Sequence, residues 1–236
     1  MKFRAVTLTV LALVFVVSGR ALPDDFLDTL GKAASMESGV VYGVGGGREL
    51  RLDLYRPSGG SGPYPAVVFI HGGGWRSGQR GQLSRQAMYL ATRGYVCACI
   101  EYRLSGEASF PAAIEDCKCA VRWMRAVGTK NYRVDPERIA VSGSSAGGHL
   151  ALLTGASGGV AELEGSGGWS EYSSRVQLVA AFNPACEFAG RRTNRSWLSW
   201  GGPAPRSRTS TAWPPRPPGW TGPIRPCCFC TVTRTR

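Results

Sequence analysis

The sequence R-I-A-V-S-G-S-S-A-G-G-H-L-A-L-L, from Arg138 to Leu153, decides the fold of this chain. It begins with an apolar run typical of a buried strand, passes through G-S-S-A-G at Gly143 to Gly147, and continues as a run typical of a helix. Glycines two residues either side of Ser145 permit a tight turn where larger side chains would collide with the neighbouring strand and helix. The pattern predicts that Ser145 lies at the tip of this turn, with its hydroxyl exposed at a helix N-terminus.

A second glycine-rich motif, P-A-V-V-F-I-H-G-G-G-W, lies upstream at Pro65 to Trp75. Its apolar run, Ala66 to Ile70, is typical of a strand buried on both faces of a parallel sheet. The glycines that follow let backbone N–H groups turn into a pocket, as the oxyanion of a tetrahedral intermediate requires. A flexible linker fits less well, because linkers rarely interrupt so hydrophobic a strand. The two motifs, in this order at strand ends, predict a serine hydrolase.

Between residues 50 and 182, predicted strands alternate with predicted helices. The strands are 50–55, 95–102 and 176–182, the helices are 82–92 and 112–126, and a polar segment at 158–175 is predicted to be a surface loop bordering the site. This alternation predicts an α/β fold with a doubly wound, mostly parallel sheet, whose ligands bind beyond the carboxyl ends of the strands. In the first strand, leucines alternate with Arg51, Asp53 and Tyr55, which predicts one solvated face.

Several segments together resemble the α/β-hydrolase carboxylesterases of the hormone-sensitive-lipase and acetyl- or feruloyl-esterase type. The matching segments are L-R-L-D-L-Y-R-P (Leu50–Pro57), V-V-F-I-H-G-G-G-W (Val67–Trp75), F-P-A-A-I-E-D (Phe110–Asp116), V-D-P-E-R-I-A-V (Val134–Val141) and G-S-S-A-G-G-H-L-A (Gly143–Ala151). They stand in the order of that family, and the resemblance runs from Leu50 to Gly190. It implies an α/β-hydrolase fold.

The resemblance also implies a mechanism and its residues. Ser145 would be the catalytic nucleophile that attacks an ester carbonyl and forms an acyl-enzyme, which water then hydrolyses without a cofactor. The N–H groups of Gly73, Gly74 and Ala146 would form the oxyanion hole. The expected partner is a small-molecule or carbohydrate ester; the acyl group and the oligomeric state stay open, and we expect no nucleic-acid partner.

The N-terminal residues form a separate segment. Met1 to about Ala21 begins with two basic residues, Lys2 and Arg4, which are followed by an apolar run too short to span a bilayer and then by small residues. This pattern is typical of a secretory signal peptide. We therefore expect a secreted or periplasmic protein without a membrane span after cleavage. The predicted organisation is a signal peptide at 1–21, a truncated hydrolase core at 22–190 and a Pro/Arg-rich tail at 191–236.

The eight cysteines invite a disulfide framework in an exported chain. Cys97 and Cys99 lie two apart on a predicted strand, so they face the same side and are predicted to be small core residues. Metal binding is not expected, because C-x-C pairs with only two histidines in the chain make a poor zinc site. Four residues are predicted to be structural, as groups that fix a loop, cap a helix or form salt bridges, and not catalytic: His71, Glu101, Asp116 and Asp135.

The sequence does not offer the residues expected to complete a catalytic triad with Ser145. A serine hydroxyl needs a histidine as base, and that histidine needs a carboxylate to orient it. The histidines are His71, which belongs to the glycine loop, and His149, one helical turn beyond Ser145 and so predicted to lie beside the hydroxyl, not over it. No Asp or Glu follows Glu187. We predict little or no turnover by the chain as written.

The tail from Arg191 carries nine arginines and no Lys, Asp or Glu, which accounts for nine of the formal net charge of +12. One interpretation is a disordered basic tail, in which P-P-R-P-P at Pro214 to Pro218 forms a polyproline helix for a partner. The alternative function is then a non-catalytic secreted binding protein that uses the tail or the remnant pocket.

A second interpretation is a frameshift near Trp200. Reading the back-translated tail two bases later permits P-P-V-L-L-L-H-G-D-A-D, which resembles the acid-bearing strand of the same family. On this hypothesis, out-of-frame codons replaced the acid, the histidine and the last strands.

Overall fold

The computed structural model describes residues 33–186 and the backbone of 231–234. The predicted signal peptide and most of the tail lie outside these residues. The strands are β1 (Ala34–Gly45), β2 (Arg48–Pro57), β3 (Tyr64–Ile70), β4 (Val96–Ile100), β5 (Val134–Ser144), β6 (Leu178–Phe182) and β7 (Thr231–Arg234). The α-helices are α1 (Ser84–Ala91), α2 (Ala112–Trp123), α3 (Thr129–Tyr132) and α4 (Ala146–Ala156).

These strands form one sheet in the order β1-β2-β4-β3-β5-β6-β7. The four strands β4, β3, β5 and β6 are parallel, whereas β1, β2 and β7 run antiparallel to their neighbours. Ile70 at the end of β3 lies opposite both Ile100 of β4 and Gly143 of β5. The carboxyl ends of these strands are therefore level, and the predicted mostly parallel α/β sheet is confirmed.

Strand β3 is buried on both faces, as its apolar run predicted. Val67 and Phe69 pack with α1 in one core cluster, whereas Val68 and Ile70 pack with α2 and α4 in the other. Burying a side chain of this size stabilises the fold by about 1.5–3 kcal/mol. Helices on both faces thus fix β3, and the loop that follows it, at the centre of the sheet.

The prediction that β2 has one solvated face is wrong in the middle of the strand. Asp53 is 6% exposed and Tyr55 is 3% exposed. Tyr55 packs in the same core cluster as Ala87 and Leu90 of α1. Asp53 is buried because its carboxylate has partners, which include the Ser38 hydroxyl at 2.7 Å. An alternation of polar and apolar residues does not reveal that a helix covers the polar face.

The segment predicted to be a surface loop, 158–175, packs against α2 and includes a 3-10 turn, Ala161–Leu163. Lys118 of α2 is fully buried and donates to Ser157 O at 2.5 Å and to Glu164 Oε1 at 2.9 Å. Arg122, also buried, donates from Nη1 to Glu164 Oε2 at 2.8 Å. One carboxylate thus pairs two buried cations and ties the segment to the helix.

Among the described residues, Cys97, Cys99, Cys117, Cys119 and Cys186 carry free thiols. Cys97 and Cys99 face the same core cluster, as predicted for two residues on one side of a strand. Within 33–186, none of the helices has the length and apolar character needed to cross a membrane.

Replacing Glu164 with Gln should destabilise the protein by about 3 kcal/mol, because Lys118 and Arg122 would stay buried without a carboxylate. Urea unfolding followed by circular dichroism measures this. The matched control is Glu162→Gln in the same turn, where the exposed carboxylate should change stability by less than about 0.5 kcal/mol. Equal effects of the two substitutions would contradict the role of Glu164 in holding residues 158–175 against α2.

Candidate active site

Ser145 lies at the tip of a strained turn between β5 and α4. Its backbone has φ 54° and ψ −117°, a conformation that costs a non-glycine residue on the order of 1–3 kcal/mol. The surroundings hold it there, because Ser145 N–H donates to Phe182 O of β6 at 2.9 Å. The residue is exposed although its neighbours on both sides are at least half-buried. The predicted position of Ser145 at the tip of the turn agrees with this geometry.

The glycines on either side of Ser145 are required by close backbone contacts. A Cβ on Gly143 would lie 2.3 Å from Gly147 O. A Cβ on Gly147 would lie 2.1 Å from Ile70 O and 2.4 Å from His71 O. Both distances are far inside van der Waals contact, so the start of α4 can approach the end of β3 only without side chains. This approach sets Ser145 beside the loop that follows β3.

That loop exposes the glycines predicted to form the oxyanion hole. Gly73 has φ 117° and Gly74 has φ 62°, and both are exposed. The loop is held by Gly73 O, which accepts the N–H groups of Arg76 and Ser77 at 3.1 Å each. Within 33–186, the N–H groups of Gly73 and Gly74 donate no hydrogen bond to another residue. They are therefore available to a ligand.

The loop and the serine are close together. A Cβ built on Gly72 would lie 3.5 Å from Ser145 Cβ. Ala146 is the first residue of α4, so its N–H has no partner in a preceding helical turn. Three candidate donors, those of Gly73, Gly74 and Ala146, thus belong to segments that meet at Ser145.

His71 is a buried part of the loop. Its Nδ1 lies 2.8 Å from Gly72 O, and because a carbonyl only accepts, Nδ1 carries the hydrogen. The ring stacks on Tyr102 at 4.3 Å between centroids, and the Tyr102 hydroxyl donates to His71 O at 3.1 Å. Burial lowers the pKa of His71, although the bond to Gly72 acts in the opposite direction. His71 is therefore a neutral side chain that fixes the loop, as the sequence predicted.

His149 lies one turn after Ser145 on α4, with its N–H donating to Ser145 O at 3.0 Å. Its ring meets the Trp75 ring edge to face, with centroids 5.4 Å apart. Within 33–186, Ser145 Oγ makes no hydrogen bond to His149 or to any other residue. The described residues thus bring an exposed serine and its candidate oxyanion donors together, but they do not bring a base to the serine.

Arg80 is a site residue that the sequence did not indicate. It follows the glycine loop, and its guanidinium donates from Nε to Asp53 Oδ1 at 3.1 Å and from Nη1 to Glu101 Oε2 at 2.5 Å. Arg48 extends the chain of charges from Glu101 to Glu107. Arg80 therefore fastens the end of the loop to β2 and to the residue after β4.

Each acidic residue that was predicted to be structural forms an ion pair with an arginine. Glu101 pairs with two arginines, Arg48 and Arg80. Asp116 is buried against Arg103, and Asp135 pairs with Arg138 at 2.5 Å. Within 33–186 and 231–234, no group of three or more His, Cys, Asp or Glu side chains is arranged to hold a metal ion.

The sequence profile of the BD-FAE family matches residues 52–210. The chain belongs to the BD-FAE family. The predicted resemblance to carboxylesterases is thereby confirmed, and the match runs beyond Gly190 into the Arg-rich tail. Two curated relatives come from Mycobacterium tuberculosis. The probable carboxylic ester hydrolase LipM is 34% identical over 145 residues, and the esterase LipQ is 34% identical over 152 residues.

Solved structures of esterases share the fold of this BD-FAE chain. The apo form of Thermogutta terrifontis esterase 2 is 32% identical, with a TM-score of 0.60 over 72% of this chain and 63% of that one. A truncated carbohydrate esterase from gut microbiota is 28% identical, with a TM-score of 0.60 over 67% of this chain and 60% of that one.

The chain is short beside its curated relatives. The matches to LipM and LipQ cover 60% and 63% of this chain but only 33% and 35% of the relatives. The chain therefore spans about a third of each relative.

Adding a methyl group at Gly147 should destabilise the protein by about 3 kcal/mol, because its Cβ would meet two backbone carbonyls that cannot move independently. Gly81→Ala is the matched control, since a Cβ there meets nothing within 4 Å and the backbone needs no positive φ. Urea unfolding of both variants measures the difference. A Gly147→Ala protein as stable as Gly81→Ala would contradict the close approach of α4 to β3.

Burial lowers the pKa of His149. The folded protein therefore resists protonation, while the unfolded chain binds a proton below about pH 6.5. The neutral His149 ring makes its full contribution to stability above that pH. This contribution is lost as the pH falls towards the lowered pKa of His149 in the folded state. We expect His149→Asn to lose less stability than the wild type between about pH 7.5 and about pH 5.5. Urea midpoints at both pH values test this, and parallel losses would refute it.

Proposed function

We propose that this chain carries the nucleophile and oxyanion hole of a carboxylic ester hydrolase. Ser145 is the proposed nucleophile, and the N–H groups of Gly73, Gly74 and Ala146 are the proposed oxyanion donors. The observation that carries the proposal is that a strained, exposed serine lies beside the glycine loop, in which the N–H groups of Gly73 and Gly74 have no partner within 33–186. The names of two relatives that are 34% identical to this chain, a probable carboxylic ester hydrolase and an esterase, support it.

In the proposed reaction, Ser145 Oγ attacks the ester carbonyl carbon while a base removes the hydroxyl proton. The carbonyl oxygen becomes an oxyanion, which the N–H groups of Gly73, Gly74 and Ala146 stabilise; one such donor is worth about 2.7–4 kcal/mol in the transition state. The C–O bond then breaks, and the alcohol leaves with a proton from the base. Water then attacks the acyl carbon while the base takes a proton from the water. The bond between the acyl carbon and Ser145 Oγ breaks, Oγ receives a proton from the base, and the acid is released. No cofactor takes part.

The proposed substrates are acetyl, feruloyl or other small acyl esters, either of small molecules or of carbohydrates. The exposure of Ser145, Gly73 and Gly74 supports access by an ester group from solvent. The carbohydrate esterase name of one structural neighbour supports the carbohydrate esters. Export is part of the proposal, on the strength of the apolar segment at 1–21.

We also propose that the chain as written turns over slowly. The base in the scheme needs an imidazole at Ser145 Oγ, and neither histidine of the chain makes that hydrogen bond. Without the base, only binding and oxyanion stabilisation remain, which leave about 10³–10⁴-fold catalysis over water. A frameshift near Trp200 accounts for both the absent acid and the absent histidine.

The test is hydrolysis of p-nitrophenyl acetate by the chain as written and by a chain with the reading frame restored after Trp200. The restored chain should be at least about 10²-fold faster, because it regains the base and the acid. Ser145→Ala in the restored chain should abolish this gain, whereas Ser144→Ala, one residue earlier in the sequence, should keep most of it.

Two outcomes would overturn the proposal. Full activity of Ser145→Ala would show that another group is the nucleophile. Equal rates of the written and restored chains, both dependent on Ser145, would show that a base already acts in the written chain. A fluorophosphonate probe provides a second readout, since labelling of Ser145 requires an activated hydroxyl.

A further inference from the structure

The backbone of Ser145 is bound on two sides by the β6 turn, residues 182–185 at the end of β6. Phe182 O accepts the Ser145 N–H at 2.9 Å, and the Ala185 N–H donates to Ser145 O at 3.3 Å. Ser145 O also accepts the His149 N–H at 3.0 Å, which is the first hydrogen bond of α4. The β6 turn therefore contacts both the N–H and the C=O of the proposed nucleophile.

The bond to Ser145 O also affects the direction of the Ala146 N–H. Ser145 O and the Ala146 N–H belong to one peptide group, which is planar and trans, so its C=O and N–H point in opposite directions. Whatever fixes Ser145 O therefore fixes the Ala146 N–H. His149 fixes this oxygen from within the helix, and Ala185 fixes it from the β6 turn. An oxyanion donor needs a fixed direction, because its hydrogen must meet the position where the negative charge develops.

The β6 turn packs closely against the first turn of α4 at Gly148. A Cβ built on Gly148 would lie 3.1 Å from Phe182 O and 3.2 Å from Pro184 Cα. Both distances are shorter than ordinary van der Waals contact, so the turn and the helix come this close because residue 148 has no side chain. Packing and hydrogen bonds thus join the β6 turn to the start of α4.

Asn183 has an unusual backbone conformation within the β6 turn. Its φ is 44°, in the left-handed region that is unfavourable for most L-residues and that asparagine tolerates better than most. Its side chain is exposed and makes no hydrogen bond within 33–186. The position therefore requires a backbone conformation and not a side-chain contact.

We propose that Asn183 is a positioning residue for Ser145 and for the Ala146 N–H. Its left-handed backbone directs the chain after β6 so that the Ala185 N–H reaches Ser145 O. This role rests on the proposed function, in which Ser145 is the nucleophile and the Ala146 N–H an oxyanion donor. Glycine, which adopts a positive φ without strain, should replace Asn183, whereas a β-branched residue should not.

Amide hydrogen exchange of Ser145, measured by NMR on the full chain, tests the contact without a need for activity. Asn183→Val should raise the exchange rate of the Ser145 N–H, relative to the amides of β3, at least about fivefold, because its bond to Phe182 O is weakened. Asn183→Gly should exchange as the wild type does. Unchanged Ser145 exchange in Asn183→Val would overturn the proposal.

Arg133→Val is the matched control for the valine substitution. Arg133 is also exposed and left-handed, with φ 58°, but it lies at the end of α3, away from the β6 turn. Its replacement by valine imposes the same kind of backbone strain on the fold. The exchange of Ser145 relative to β3 should stay as in the wild type; a rise equal to that of Asn183→Val would overturn the proposal.

Turnover separates a positioning role from a purely structural one. In the chain with the restored reading frame, Asn183→Val should lower kcat for p-nitrophenyl acetate at least about tenfold and leave KM within about twofold, because the Ala146 N–H acts on the oxyanion. Asn183→Gly and Arg133→Val should both keep the kcat of the restored chain. Equal kcat for Asn183→Val and Arg133→Val would overturn the positioning role, as would equal losses in the two Asn183 variants.

The same measurements separate this role from the proposed function. Full activity of Ser145→Ala would refute the proposed function, while the exchange of the Ser145 N–H would still report whether the β6 turn holds it. Circular dichroism shows whether Asn183→Val folds. If it does not, Asn183→Ala takes its place with the same expected directions, because alanine is also strained at a positive φ.

Discussion

The close approach of α4 to β3 is the constraint on which the rest of the site depends. The backbone of Gly147 lies so near Ile70 O that a single methyl group would come within 2.1 Å of it. Because α4 meets β3 at this distance, the turn that leads from β5 into α4 is tightly constrained, and Ser145 within it has a φ of 54°. The packing of α4 against β3 thus maintains the positive φ of Ser145, which an isolated turn would not keep.

The glycine loop is fixed in a different way, by polar contacts at several points. His71 is stacked and hydrogen-bonded at its start, Gly73 O gathers two N–H groups in its middle, and Arg80 pairs with two carboxylates at its end. Within 33–186, these contacts leave the N–H groups of Gly73 and Gly74 without a partner. The glycine loop is therefore preorganised, because its conformational entropy is lost when the protein folds and not when a ligand binds.

The sequence predicted the sheet, the burial of β3 and the turn at Ser145, because hydrophobic runs and paired glycines act locally. It did not predict the burial of Asp53, the ion pairs of Arg80 or the packing of 158–175 on α2. Those features join residues far apart in sequence, such as Lys118 and Glu164, and periodicity carries no information about such partners. Within 33–186, Ser145 Oγ makes no hydrogen bond to His71 or His149, the two histidines of the sequence.

The last strand has a further consequence. Thr231 to Arg234 pairs antiparallel with β6, next to the strand that leads to Ser145. Ladder hydrogen bonds join backbone to backbone, so the edge of a sheet selects an extended segment by shape and proximity and not by its side chains. The outer edge of β6 therefore accepts a strand through backbone contacts alone, and any extended segment that reaches this edge can pair there.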